Sequence, residues 1–157
     1  MEHVISVLVE NRFGVLSHIS GMFSGRGFNI DSLAVGETED PSVSRMTIVV
    51  HGDDQVVAQI LKQLNRQVNV IQVEDLAGRE HVERELMLIK IPVTAKNRGE
   101  LLEVASIFRA RVVDVQEESL TIEAVGSGEK LEALLRMCKK FGIRELVRTG
   151  RIGISRG

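Results

Sequence analysis

Tryptophan and tyrosine are absent from the 157 residues, and phenylalanine occurs only five times. Stacking platforms of the kind that hold unpaired bases are therefore scarce. Neither sign of charge is in excess: 20 Lys and Arg face 22 Asp and Glu, a net charge of −2. Nothing in that balance draws nucleic acid or an anionic membrane over long range. Long apolar runs are also missing. The stretch Val4 to Val9 is too short for a secretion signal or a membrane span, and the opening MEHVISV has no basic region before it. There is a single cysteine, Cys138, so no intrachain disulfide can form. It falls in an apolar helical stripe with Leu131, Leu134 and Leu135, which assigns it to packing rather than to nucleophilic chemistry. The expected location is cytoplasmic, with which a lone cysteine agrees.

Catalytic and metal-binding patterns are missing too. His3, His18, His51 and His81 stand in separate elements, with no H-x-x-x-H pair and no pairing with Cys138, so no metal site is expected. No serine-centred elbow occurs. Two glycine patterns mislead. Gly21-x-x-x-Gly25-x-Gly27 ends a helix instead of starting one and lacks the Lys-Ser/Thr of a phosphate loop. Gly126-Ser127-Gly128 lacks a third glycine at dinucleotide spacing. No catalytic constellation emerges, which argues against an enzyme.

What is present is a repeated order of elements. Val4 to Val9 is rich in β-branched residues and apolar on both faces, as in a central strand. From Gly14 the period changes: Val15, Leu16, Ile19, Met22 and Phe23 share one face of a helix. Gly25-Arg26-Gly27 closes it. Phe28 to Val35 is a second strand, and residues 36–42 form an acidic turn. Arg45 to Val50 alternates as a third strand. Gly52-Asp53-Asp54 offers a cap to a second helix carrying Val56, Val57, Ile60, Leu61 and Leu64, and Val68 to Val73 is the fourth strand. The order β-α-β-β-α-β is the ferredoxin-like split arrangement. A polar stretch, Ala77 to Glu85, follows. Its EHVERE run reads as a solvated linker face, with a partner-contact surface as the alternative. The order then recurs in strand Leu86 to Val93 and a helix capped at Asn97-Arg98-Gly99-Glu100 with its apolar face through Phe108. Strands Val112 to Val115 and Leu120 to Val125, helix Lys130 to Phe141 and strand Glu145 to Arg148 complete it. The expected fold class is α+β, two tandem ferredoxin-like domains: residues 1–77, a linker at 78–84, and residues 85–157. Each is small for a lone core and leaves a sheet face or edge uncovered, so a homodimer is expected.

The loop Asn11-Arg12-Phe13-Gly14 joins the first strand to the first helix. Unpaired N–H groups and a partial positive charge at a helix start receive a carboxylate without any basic side chain. Gly14 lets a ligand come close to the backbone. Asn11, and Asn29 at the start of the second strand, offer carbonyl oxygens to an ammonium group. An α-amino acid needs that combination. On the residues alone the plainer reading stands first, in which Asn11 and Gly14 are ordinary turn residues of a βα loop.

The N-terminal half resembles an ACT domain, and the resemblance narrows. Asn11-x-x-Gly14-x-Leu16, Phe23, Arg26-Gly27-Phe28-Asn29-Ile30-x-Ser32-Leu33 and Ser44-Arg45-Met46-Thr47-Ile48 are similar to the acetolactate (acetohydroxyacid) synthase small-subunit family. So are His81-Val82-Glu83-Arg84-Glu85-Leu86 and Gly150-x-x-Gly153-x-Ser155-Arg156-Gly157. The resemblance covers nearly the whole chain. It implies a non-catalytic regulatory subunit that binds no cofactor itself. The partner implied is a separate catalytic large subunit using thiamine diphosphate, Mg²⁺ and FAD on the path to branched-chain amino acids. The small subunit would activate that partner and confer feedback inhibition by valine. It further implies an effector site at an ACT–ACT interface, with Asn11, Gly14, Val15 and Leu16 from one protomer and Asn29 and Ile30 from the other. His18 stands where the family usually has Arg. A generic ACT-domain amino-acid sensor acting on another enzyme or a transporter is the nearest alternative; an RNA-binding module and a stand-alone enzyme fit less well.

Overall fold

The computed structural model describes residues 1–26 and 28–157; the expected helix-closing glycine, Gly27, lies outside them. The fold is α+β, with two antiparallel sheets in two units. The first unit runs β1 (Glu2–Glu10), α1 (Val15–Gly25), β2 (Ile30–Glu37), β3 (Val43–His51), α2 (Asp54–Asn65) and β4 (Val70–Asp75). Its strand order is β2-β3-β1-β4. β1 lies at the centre, as its two apolar faces require, with Val4, Ile5, Val7 and Val9 all buried. Ile5, Val7 and Val9 face Ile19 and Phe23 of α1 and Val57, Ile60 and Leu64 of α2 in one core. Because β1 and β2 are both antiparallel to β3, they run in the same direction. β2 is an edge strand, and Val35 on it is 46% exposed.

The second unit runs β5 (His81–Pro92, whose first two residues belong to the first unit), α3 (Arg98–Ile107), β6 (Arg111–Val115), β7 (Ser119–Gly126), α4 (Gly128–Cys138) and β8 (Glu145–Arg148), with strand order β6-β7-β5-β8. Met87, Ile89 and Ile91 alternate into a core with Leu101, Ile122, Leu131 and Leu134. Cys138 is wholly buried in that core, as its place in the stripe predicts.

Three local expectations change. Strand pairing begins at His81, inside the stretch read as linker, and Glu85 is buried, not solvated. An arginine makes that tolerable: Arg148 Nε donates to Glu85 Oε1 at 2.7 Å. Asn97 caps no helix N–H. Its Oδ1 instead accepts from Thr94 N at 2.7 Å while Thr94 Oγ1 accepts from Asn97 N at 3.3 Å, and Glu100 pairs with Lys140. The reciprocal Thr94–Asn97 turn uses the oxygen that a capping box needs. Asp53 does cap α2, accepting from Gln55 N at 2.7 Å.

The third concerns the C-terminus. The sequence pattern predicts one domain over residues 85–157, whereas the compact units are Met1–Val82 with Arg151–Gly157, and Glu83–Gly150. Residues 151–157 contain a further strand, β9 (Ile152–Ser155), which pairs with β5. Arg156 N donates to Glu80 O at 3.0 Å. Gly153 is required there: a Cβ would stand 2.9 Å from Leu76 Cδ1 and 3.7 Å from Val4 Cγ1. Leu76, Val4 and Val49 are almost fully buried and form a small apolar cluster separate from the main core.

Candidate functional site

The loop after β1 is built as its residues suggest. Gly14 sits at φ +85°, the left-handed region that disfavours a side chain. The helix therefore starts abruptly. No side chain caps it, its first turn has no acidic residue, and the N–H groups of Leu16 and Ser17 meet no acceptor among the described residues. Val15 points into the core, 5% exposed, so only its backbone can serve a ligand, whereas Leu16 is 45% exposed and Phe13 projects fully into solvent. The result is a positively polarised backbone cup with an apolar rim.

Asn11 ties its loop to the one between β2 and β3. Its backbone N donates to Ser42 O at 2.7 Å, and its Nδ2 donates to Pro41 O at 2.9 Å and Glu37 Oε1 at 3.3 Å. The β2–β3 loop it grips is ordered in turn: Ser42 Oγ donates to Asp40 Oδ1 at 2.7 Å, and that bond lowers the Asp40 pKa from its ordinary value. With Nδ2 committed, Oδ1 of Asn11 is the oxygen left to accept from an ammonium group. Glu37, in sequence only one residue of an acidic turn, places a carboxylate beside it. His18 hydrogen-bonds Gln67 Oε1 at 2.6 Å, a contact within the unit.

Asn29 is exposed at the other end of the same edge strand, and Ile30 is half-buried. Ile30 pairs with Val50, which also pairs with His3, while Asn11 follows Glu10, the partner of Val43. From His3 to Asn11 is eight residues of extended chain, on the order of 26 Å. The two groups of candidate residues thus lie at opposite ends of one sheet. Asn11, Gly14, Val15 and Leu16 come together; Asn29 and Ile30 do not join them within one protomer.

A separate cavity of about 300 Å³ lies in the same unit, lined by Met1, His3, Asp54, Val57, Leu61 and Asp75 among others. Buried His3 spans it, with Nδ1 2.8 Å from Asp75 and Nε2 3.0 Å from Asp54. Each ring nitrogen thus faces a carboxylate. Among the described residues no group of three or more His, Cys, Asp or Glu side chains is placed to hold a metal ion. No described helix is long and apolar enough to cross a membrane.

The architecture and the polarised loop define the first unit as an ACT domain, and the model for the small-subunit-like ACT domain of acetohydroxyacid synthase matches residues 5–72. The model for the small subunit of acetolactate synthase matches residues 84–157, and the chain belongs to that family of regulatory, non-catalytic subunits. The acetolactate synthase small subunit of Mycolicibacterium smegmatis is 54% identical over 155 residues, covering 99% of this chain and 91% of that one. The chloroplastic small subunit 2 of Arabidopsis thaliana is 50% identical over 98% of this chain, which covers 32% of that longer protein. Among solved structures, the small subunit from Thermotoga maritima superimposes with a TM-score of 0.89 at 38% identity, covering 100% of this chain and 98% of that one. A small subunit implies a large one, so the chain associates with the catalytic subunit of acetolactate synthase.

Proposed function

We propose that this chain senses valine at a site shared by two protomers, activates the catalytic subunit in the absence of valine and inhibits it in its presence. One observation carries the reading. Asn11 and Asn29 mark opposite ends of the edge strand β2, with Asn11 tied to Glu37 at its end and Asn29 preceding its start. A two-fold axis beside β2 sets the strands of two copies antiparallel. The Glu37 end of one then lies against the Ile30 end of the other. Each pair of ends completes one pocket, and the uncovered edge is removed in the same step.

In that pocket the amino acid's carboxylate takes the N–H groups of Leu16 and Ser17. Its ammonium meets Asn11 Oδ1 and the Glu37 carboxylate, with Asn29 of the partner subunit closing from above. The isopropyl group packs on exposed Leu16 and on Ile30 of the partner subunit. Both protomers supply contacts, so occupancy pulls the two together. Such a shift needs a coupling of only about 1–3 kcal/mol between states. Discrimination among small aliphatic amino acids is modest, about 1–3 kcal/mol per methylene. Thiamine diphosphate, Mg²⁺ and FAD belong in this reading to the catalytic subunit, in the cytoplasm where both subunits meet the amino-acid pool.

The test is reconstitution with the catalytic subunit, assayed with and without valine. Stimulation without valine and inhibition with it support the reading; stimulation that valine leaves unchanged removes the sensing role. Asn11→Ala and Gly14→Asp, the second placing an anion and a strained side chain where the carboxylate sits, should abolish inhibition while leaving stimulation largely intact. Unchanged valine binding by calorimetry in both variants contradicts the assigned loop.

A further inference from the structure

The end of β2 that carries Asn29 and Ile30 is tied to the C-terminal strand by a continuous line of ionisable side chains. Asp31, the next residue, pairs with His51 Nδ1. His51 Nε2 stands 3.6 Å from Glu2 Oε2. Glu2, the first residue of β1, takes both terminal nitrogens of Arg151, with Nη2 to Oε2 at 3.0 Å. The Arg151 bond lowers the Glu2 pKa from its ordinary value, and the arginine side chain is only 20% exposed. Arg151 is the first residue of the segment returning to the first unit, and Gly150 before it is the last of the second. Beyond Arg151 the strand is fixed by Gly153 against Leu76 and Val4 and by Arg156 on Glu80. Ion pairs this exposed contribute little to stability singly. Four groups in series on β2, β3, β1 and the residue opening β9 instead set where one strand end lies.

We propose that Arg151 is a positioning residue for the Asn29–Ile30 half of the effector pocket, acting through Glu2, His51 and Asp31. The residue at which the chain comes back from the second unit is therefore linked to effector occupancy. By reciprocity, what disturbs Arg151 weakens effector binding, and effector binding steadies Arg151. The proposal rests on Asn29 and Ile30 being part of the pocket.

The experiment is valine calorimetry on the full chain, with stimulation of the catalytic subunit measured in parallel, for Arg151→Met, Arg151→Lys, His51→Gln and Asn29→Ala. Arg151→Met should weaken valine binding about tenfold with valine-free stimulation unchanged. Arg151→Lys should recover most of the affinity, and His51→Gln should lose part of it. Wild-type affinity in Arg151→Met and His51→Gln, with loss in Asn29→Ala, overturns the coupling and leaves the pocket standing. Wild-type affinity in Asn29→Ala refutes the pocket itself. If Arg151→Met does not fold, exposed His51 decides: full affinity in His51→Gln overturns the proposal.

Discussion

Glu85 is 4% exposed, yet it carries a carboxylate. Arg148 makes this possible and reaches Glu132 at 3.2 Å with the same group. Removing one partner of such a pair leaves a buried charge uncompensated, which costs more than the pair itself contributes. Arg148→Met should lower stability by about 3 kcal/mol in denaturant unfolding, while the Glu85→Gln/Arg148→Met double variant recovers part of the loss. Cys138 is the opposite case, a buried thiol whose titration is moved by burial. Burial pushes its thiol pKa up to about 11. It should resist thiol reagents at pH 8 in the native state and react fully once the chain is unfolded. Glu2 gives a pH dependence. Its pKa is lower folded than unfolded, so its pairing with Arg151 stabilises the fold above the ordinary glutamate value of about 4.3. That stability is lost as pH falls through the lowered value. The difference in melting temperature between wild type and Arg151→Met should therefore be largest near neutrality and shrink below pH 4.

The elements were legible in the sequence wherever periodicity is strong. The alternation of β3, the helical stripes of α1, α2 and α4 and the twofold β-α-β-β-α-β order follow from side-chain patterns, because one face of each must be buried. The beginning of β5 was not legible, since His81 to Glu85 is polar and its pairing is supplied from seventy residues away. Nor was β9: Ile152 and Ile154 are more than half exposed, so no buried face announces the strand. In the site, the helix-start donors could be read from Asn11 to Leu16, whereas the grip of Asn11 on Pro41 and Glu37 depends on a loop thirty residues on. The packing of β9 makes two predictions. Gly153→Val should destabilise the full chain by about 1–3 kcal/mol, because Leu76 is fully buried and has no room to give way. A fragment of residues 1–82 should melt below the same fragment joined to residues 151–157 through a short Gly-Ser linker, since the first alone leaves Val4 and Leu76 without β9. Equal melting temperatures would show that β9 adds no stability to the first unit.

At the scale of the molecule, each unit has its own core, and the chain passes between them twice, at 82–83 and 150–151. On the proposed function, that arrangement separates sensing in the first unit from whatever the second presents to the catalytic subunit, and gives any signal two covalent routes. The proposed pocket crosses a different boundary, that between copies. Asn11 and Asn29 are separated by the length of a sheet in one protomer, so on that proposal a single chain holds two half-sites and no whole one. Subunit mixing tests this directly. Asn11→Ala and Asn29→Ala homodimers should each fail to bind valine. Exchanged one to one, half of the dimers become hybrids, and each hybrid has one doubly altered pocket and one intact pocket. Calorimetry on the mixture should recover about a quarter of the wild-type sites, at wild-type affinity. No recovered binding in a mixture shown to contain hybrids, or full binding by either variant alone, would contradict a pocket shared between protomers.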